Sequence, residues 1–235
     1  METTYIISDI HLGSDTSQAG CLCGFLDEIK NKTQRLILNG DVFESMDFRR
    51  LKKNHWHVLS ALRKMSDHVE VIWVAGNHDG PAEIISHLLG LTVVEEYEFF
   101  SGDKKVLVLH GHVFDDFLDD HPILTWVGDM IYMFLQKVDN THYIARQAKH
   151  SSKHYLRCAD IIKKRAQRLA KKKACQVVCC GHTHHAEMDL EGPVHYYNSG
   201  CWTEIPNNYI EITDGIVTLN SFDEHERRGI REAVL

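Results

Sequence analysis

Residues 74–79 read Val-Ala-Gly-Asn-His-Asp (VAGNHD) and close the largely apolar, β-branched run Val69–Val74, which is typical of a buried strand. Gly76 allows a tight turn where that strand meets solvent. A turn alone needs no amide, imidazole and carboxylate in succession after the glycine. The stretch therefore indicates a site that uses Asn77, His78 and Asp79, and the other strand ends of the chain show what kind of site it is.

The composition is that of a folded, soluble protein. Of the 235 residues, 43% are apolar and 25% are charged, which excludes disorder along the whole chain. The apolar runs are shorter than the roughly 20 residues of a membrane-spanning helix. The first residues, METTYIISD, contain no basic segment followed by a signal-like apolar region, so we expect a cytoplasmic protein.

The cysteines agree with a reducing compartment. There are seven, an odd number, and Cys21/Cys23 and Cys179/Cys180 are too close in sequence for an ordinary disulfide framework. Paired Cys-x-x-Cys knuckles of a structural zinc site are absent from the sequence. We therefore interpret the cysteines as packing residues.

Strand patterns alternate with helix patterns along the chain, which predicts an α/β domain with a largely parallel central sheet. Helical spacing of apolar residues occurs at Leu22–Ile29 and Leu51–Leu62. Near the end, Asp214-Gly215 predicts a hairpin turn, and with it a second, mixed sheet packed on the first. The predicted core strands are Tyr5–Ser8, Leu36–Asn39, Val69–Val74, Val106–Leu109 and Gln176–Cys179, and the hairpin strands are Tyr209–Ile212 and Ile216–Leu219.

One segment breaks this alternation. The region of about residues 118–174 lacks strand patterns and predicts two or three helices inserted into a single domain that spans residues 1–235. Residues 146–173 contain eleven Lys and Arg but one acid, Asp160, and an apolar stripe runs from Tyr155 to Leu169 at helical spacing. This basic amphipathic helix is either the solvated face of a lid or a contact for an anionic ligand or anionic membrane.

Polar side chains follow each of the five predicted core strands. In an open α/β sheet the carboxyl ends of the strands converge, so these side chains are expected to form one site. Carboxylates, imidazoles and one amide, without thiolates, suit two ions of Mn²⁺, Fe or Zn²⁺. Alternate residues of extended backbone share a face, which would turn both polar residues of each His-containing pair toward the ions. The residues concerned are Asp9, His11, Asp41, Asn77, His78, Asp79, His110, His182 and His184.

The order of these motifs resembles that of the calcineurin-like metallophosphoesterases: Asp-x-His, Gly-Asp, Gly-Asn-His-Asp, a lone His and Gly-His-x-His. The resemblance implies an αββα sandwich with a helical lid and hydrolysis by water activated between two ions. Asp41 would bridge the ions, His78 would contact the phosphoryl oxygen or protonate the leaving group, and Asp79 would orient His78. One ion would be held by Asp9, His11, Asp41 and His184, the other by Asp41, Asn77, His110 and His182.

Within this superfamily the chain is most similar to the UDP-2,3-diacylglucosamine pyrophosphatases of lipid A biosynthesis. The resemblance rests on residues 110–116, the helical insertion with Ser151-Ser152-Lys153, and Asn198-Ser199-Gly200-Cys201-Trp202. It implies cleavage of that lipid-linked nucleotide sugar to UMP and lipid X, with acyl chains along Trp126–Leu135 and a peripheral contact with the anionic inner membrane. The implied substrate-binding residues are Asp116, Arg146, Lys149, His150 and Lys153.

The chain departs from the pattern of this subfamily at two positions, and two alternative functions stay open. His112 stands where that subfamily carries Asp, and His78 stands where some of its members carry Arg. One alternative is a soluble phosphodiesterase or phosphatase acting on a nucleotide or another phosphoester. The other is a non-catalytic scaffold, which would be expected to have lost ligands. Nucleic acid is not expected as a partner, because the chain outside the basic helix is strongly acidic.

Overall fold

Two β-sheets pack face to face in this protein, and helices cover their outer faces. The computed structural model describes residues 2–115 and 153–223, with side chains from residue 155 onward in the second range. The first sheet contains β1 (Thr3–Ile7), β2 (Arg35–Asn39), β3 (Glu70–Val74), β4 (Thr92–Val94), β10 (Asn207–Thr213) and β11 (Ile216–Phe222). The second contains β5 (Glu96–Ser101), β6 (Lys104–Leu109), β7 (Val177–Cys180), β8 (Glu187–Asp189) and β9 (His195–Asn198).

The first sheet has the order β11-β10-β1-β2-β3-β4, with β1 to β4 parallel. Parallel neighbours need crossover connections, and helices supply them. These helices are α1 (Ala19–Ile29), α2 (Lys53–Met65) and α3 (Ala82–Leu89), in chain order between successive strands. On the other side of β1, the hairpin β10–β11 adds two antiparallel strands.

The central strands β1, β2 and β3 of this sheet are buried on both faces, as their apolar sequences indicate. Ile6, Ile37 and Ile72 face the second sheet, whereas Leu36 and Leu38 face the helix layer. Because successive side chains of a strand point to opposite faces, each of these strands contributes to two separate cores. As a result, the strand ends are held rigidly where the polar motifs begin.

The second sheet has the order β5-β6-β7-β9-β8 and mixes parallel and antiparallel pairs. Its outer face is covered by α4 (Lys153–Lys172). Leu107 and Leu109 of β6 share that outer core with Ala166 and Ala170 of α4. The predicted sandwich of two mixed sheets flanked by helices is therefore confirmed.

The strands are distributed between the sheets differently from the prediction. The predicted hairpin exists, with Asp214 and Gly215 at positive φ (48° and 79°), but it extends the first sheet beside β1. The second sheet is built instead around β6 and β7, which correspond to the predicted core strands Val106–Leu109 and Gln176–Cys179. Short strands such as β4, β8 and β9 carry too little periodicity to be predicted.

Only the last helix of the predicted insertion lies in the described ranges. In α4, Ala159, Ile162 and Ala166 are buried, as the apolar stripe predicted, and Tyr155 and Leu169 are partly buried. The earlier part of the insertion lies outside the described residues. Across those described, none of the helices combines the length and the apolar character that crossing a membrane requires.

Candidate metal centre

The polar residues come together at one rim of the sandwich. Loops after β1, β2 and β3 of the first sheet meet the loops after β6 and β7 of the second. The sequence predicted one edge of a single sheet. The two sheets face each other, so their carboxyl ends converge as neighbouring edges would.

The side chains form three overlapping groups in which all ligand atoms lie within 4.8 Å of one another. Asp41 belongs to two of these groups and His11 to two, so the groups form one continuous cluster. Asn77, the predicted amide ligand, lies on the exposed loop after β3, and its ligation stays a prediction. The groups are Asp9, His11 and His184; His11, Asp41 and His78; and Asp41, His110 and His182.

Unpaired buried atoms show that this cluster fits cations. Asp9 Oδ1 and His110 Nε2 are buried and make no hydrogen bond, whereas buried polar atoms nearly always make one. Nevertheless, Asp9 Oδ1 lies 3.2 Å from His184 Nε2, and His110 Nε2 lies 3.3 Å from Asp41 Oδ2. Carboxylate oxygens and imidazole nitrogens that converge at these distances are the arrangement that divalent ions satisfy.

The backbone at the site is left-handed, not extended as the sequence predicted. Non-glycine residues rarely adopt positive φ, and each instance costs about 1–3 kcal/mol, so such residues concentrate at functional sites. Both members of Asp-x-His and both of His-x-His turn inward through this conformation. The φ values are 54° at Asp9, 50° at His11, 52° at Asp41, 66° at His182 and 57° at His184.

Glycines before the site residues provide room for the neighbouring loop. At Gly76 a Cβ atom would overlap the main-chain nitrogen and the carboxylate of Asp41, and at Gly40 it would overlap the His110 ring. Gly76 does not have positive φ, so close approach, and not the turn alone, explains this glycine of VAGNHD.

Charges in the cluster are strongly coupled. Burial opposes ionisation of Asp9, yet His184 and His110 lower the pKa of this carboxyl to about 2. Burial likewise opposes a charged His110, but Asp41 outweighs it and raises the pKa of the imidazole to about 10. The pKa of Asp41 lies well below its ordinary value, since His110 and His11 outweigh the effect of burial. Without ions, the histidines supply the positive charge that these carboxylates need.

Three of the histidines have a second oxygen partner outside the cluster. His11 Nδ1 lies 2.9 Å from Glu44 Oε2, and His182 Nε2 lies 3.0 Å from Asp115 Oδ2. His110 Nδ1 donates to the main-chain oxygen of Asn39 at 2.8 Å. Sequence reasoning missed Glu44 and Asp115. Their only signal is position, three residues after Asp41 and five after His110.

The predicted pairing of Asp79 with the His78 ring is wrong. The Asp79 carboxylate is buried and accepts four N–H groups, from Val42, Phe43, Gly76 and the Trp73 indole, at 2.8–3.0 Å. His78 Nδ1 instead lies 3.0 Å from the main-chain oxygen of Glu44. Asp79 therefore fixes the loop after β2 and the turn after β3, and the His78 ring is exposed to solvent.

The remaining predicted residues lie around this centre or outside the described ranges. The His112 ring centroid lies 5.5 Å from that of His110, and burial together with the charge of His110 lowers the pKa of His112 to about 4. His185 follows the last ligand and donates its main-chain N–H to Thr183 Oγ1. Asp116, Arg146, Lys149 and His150, and the side chain of Lys153, lie outside the described residues.

The stretch from Asn198 to Trp202 forms hydrogen bonds with the loops that carry the site residues. Asn198 Nδ2 donates to the main-chain oxygen of Gly181 at 2.8 Å and to Thr183 Oγ1 at 3.1 Å. The main-chain N–H of Trp202 donates to the main-chain oxygen of Asp9 at 3.0 Å. This stretch therefore holds the loops that carry Asp9 and His182.

The fold and the cluster together define the architecture of a metallophosphoesterase. Residues 3–186 match the calcineurin-like phosphoesterase family, and the chain belongs to that family. Membership makes it a hydrolase of phosphoesters, in a family that normally uses a dinuclear metal site. Comparison with curated protein sequences gave no match.

Solved structures show the same fold at low identity. Yfce, a phosphoesterase from E. coli, is 16% identical with a TM-score of 0.51, covering 94% of this chain and 100% of its own. A novel archaeal phosphodiesterase is 14% identical with a TM-score of 0.51, covering 93% and 99%. Chaetomium thermophilum Vps29 is 12% identical with a TM-score of 0.52, covering 94% and 97%. At these identities the likeness concerns the fold alone.

Proposed function

We propose that this phosphoesterase hydrolyses the pyrophosphate bond of UDP-2,3-diacylglucosamine, giving UMP and lipid X. The reaction class is supported by one observation above all: Asp41 is shared between two groups of ligand atoms, as a bridging carboxylate must be. The substrate is supported by the resemblance at residues 110–116 and 198–202 and by the basic character of α4.

Two ions would each have a set of donors. Asp9, His11, Asp41 and His184 would hold one ion, and Asp41, Asn77, His110 and His182 the other. The donors are oxygen and nitrogen atoms, which favour Mn²⁺ and also fit Fe and Zn²⁺. When bound, the ions would lower the pKa of water and neutralise charge on the phosphoryl oxygens.

His78 has the geometry of a general acid. A carbonyl oxygen can only accept, so His78 Nδ1 carries the proton in its contact with Glu44, and the neutral ring keeps a lone pair on Nε2. Protonated at Nε2, the exposed ring would donate to the phosphoryl oxygen or to the leaving oxygen. The main-chain N–H of His78 donates to Asp41 Oδ1 at 2.9 Å, which holds the backbone of His78 beside the shared carboxylate.

The exposed face of α4 suits an anionic substrate or membrane surface. Arg157, Arg168, Lys171 and Lys172 are exposed and lie on one side of the helix at spacings of three, four and eleven residues. Near an anionic leaflet each such residue contributes about 1 kcal/mol of binding free energy. We propose a cytoplasmic enzyme that contacts the inner membrane through this face.

The second candidate function is a soluble phosphodiesterase or phosphatase for a nucleotide or another phosphoester. His78 favours it, because some lipid-cleaving relatives carry Arg at the corresponding position. A non-catalytic scaffold is the least supported reading, since the chain retains all of the carboxylate and imidazole ligands.

A side-by-side assay with Mn²⁺ tests the substrate. UDP-2,3-diacylglucosamine, bis(p-nitrophenyl) phosphate and a cyclic nucleotide would be compared at equal concentration, with Asp41→Asn as the inactive control. The proposal expects the highest kcat/KM with the lipid substrate and release of UMP. Faster turnover of the cyclic nucleotide would replace it by the second candidate, and no turnover of the lipid substrate would exclude the proposed function.

A further inference from the structure

Two carboxylates outside the cluster each contact one histidine of the site. Glu44 Oε2 lies 2.9 Å from His11 Nδ1, and Asp115 Oδ2 lies 3.0 Å from His182 Nε2. His11 belongs to the groups with Asp9 and Asp41, whereas His182 belongs to the group with Asp41 and His110. Each proposed ion position therefore has one such carboxylate behind one of its histidines.

The contacts decide which ring nitrogen carries the proton. An ionised carboxylate only accepts, so the nitrogen that it contacts carries a proton, and in the neutral ring that binds an ion the other nitrogen has the lone pair. In His11 this leaves Nε2, which lies 3.2 Å from His184 Nε2 and 3.9 Å from Asp41 Oδ2. In His182 it leaves Nδ1. The two histidines are thus fixed in opposite tautomers.

We infer that Glu44 and Asp115 are positioning residues, one for each ion, that fix the tautomer and the ring orientation of His11 and His182. This inference rests on the proposed metal-dependent function and adds two residues to its site. A carboxylate behind a metal-bound imidazole also makes the ring a more basic ligand.

Glu44 also contacts a second histidine of the site, His78. Its main-chain oxygen lies 3.0 Å from His78 Nδ1, so one residue orients a ligand with its side chain and the exposed imidazole with its backbone. The Glu44 side chain is 23% exposed, which leaves it accessible to substitution without opening the core. A substitution of the Glu44 side chain should therefore disturb the orientation of His11 and leave the main-chain contact with His78 in place.

Metal affinity, measured on metal-free protein, tests the inference independently of turnover. Mn²⁺ would be titrated into wild type, Glu44→Ala, Glu44→Gln, Asp115→Ala and Asp115→Asn, with Asp47→Asn as an exposed carboxylate control near Glu44. Each alanine variant should lose about 10–100-fold in affinity for one of the two ions, and the amide variants should lose less, because their oxygen still accepts. Asp47→Asn should equal wild type.

Anomalous diffraction from crystals with limiting Mn²⁺ would show which position empties. Glu44→Ala should lose the ion beside His11, and Asp115→Ala the ion beside His182. Equal loss of both ions in both variants, or unchanged affinity in all four, would overturn the inference. An alanine variant that does not fold leaves the amide variant at the same position, where affinity equal to wild type would overturn it.

The same titration separates the inference from the function on which it rests. Wild-type protein that binds no Mn²⁺ would contradict the proposed metal-dependent function. Wild-type protein that binds two ions, with variants that bind them equally well, would contradict only the roles of Glu44 and Asp115.

Discussion

The Nδ1 atom of His78 lies 3.0 Å from the main-chain oxygen of Glu44, and so the ring N–H is donated to the backbone and not to the adjacent Asp79. A backbone partner keeps the imidazole in one tautomer without adding a negative charge. The His78 ring therefore faces the open site, whereas the Asp79 carboxylate accepts N–H groups in the interior. Substitutions at the two positions should have different effects, on turnover and on stability.

We expect His78→Ala to lose about 10²–10⁴-fold in kcat, the range typical of a general acid. It should still bind two Mn²⁺ ions, because the predicted donor sets do not include His78. Turnover of bis(p-nitrophenyl) phosphate and elemental analysis measure the two properties, and His87→Ala, an exposed histidine on α3, is the matched control. Turnover within a few-fold of wild type would show that His78 has no part in the chemistry.

Asp79→Ala should act on stability. Each buried N–H group left without its acceptor costs about 1–3 kcal/mol, and four groups lose theirs. We expect a large decrease in the free energy of unfolding, measured by urea denaturation. Asp27→Ala, which removes a carboxylate that is 76% exposed, should change it by less than about 0.5 kcal/mol. Equal stability of the two variants would contradict the structural role of Asp79.

The apolar strands and the polar residues that end them were readable from the sequence. Each strand has a largely apolar run, and Asp9, Asp41, Asn77, His110 or His182 follows one to three residues after its predicted end. These are local patterns, and the rule that strand ends converge connects them. The left-handed backbone at the site was not predicted, because Asp and His, although enriched at positive φ, adopt it at only a small minority of positions.

The contacts that depend on the paths of loops also could not be predicted from the sequence. Glu44 and Asp115 are ordinary acidic residues in non-periodic segments, and only the path of their loops brings them to His11 and His182. Asp79 was assigned to His78 because the two are adjacent in sequence. The structure shows that adjacent side chains at a turn point in different directions.

Metal affinity should increase with pH. The pKa of His110 is raised from 6.5 to about 10 by Asp41, against the effect of burial. Its folded-state pKa exceeds the unfolded value, so the stability from this pair is present below pH 6.5 and lost as pH rises through about 10. Ions need the neutral imidazole and must displace this proton.

Calorimetric titration of metal-free protein with Mn²⁺ at pH 6, 7 and 8, in buffers with different ionisation enthalpies, measures this effect. We expect tighter binding at higher pH and release of protons on binding. Affinity that is independent of pH, without proton release, would show that His110 is neutral before the ions bind.

The basic face of α4 should bind anionic membranes. We expect Arg168→Glu/Lys171→Glu to weaken binding to vesicles that contain anionic phospholipid, since each removed cation contributes about 1 kcal/mol near the surface. Sedimentation with vesicles measures the bound fraction. Lys30→Glu/Lys64→Glu makes the same charge change at the C-terminal end of α1 and in α2 and should bind like wild type. Equal binding of both variants would show that the basic face of α4 is solvated and does not contact the membrane.

Gly76→Ala tests the close approach that the VAGNHD stretch permits. The added methyl group would overlap the main-chain nitrogen and carboxylate of Asp41, so the shared ligand must move. We expect lower stability and loss of at least one Mn²⁺ ion per chain, measured by thermal denaturation and elemental analysis. Gly20→Ala is the matched control, because a Cβ atom at that position in α1 meets nothing within 4 Å. It should stabilise the helix by about 0.5–1 kcal/mol and keep both ions. If Gly76→Ala also kept both ions with unchanged stability, the glycine would serve only the turn, and the loop after β3 would not need to lie against Asp41.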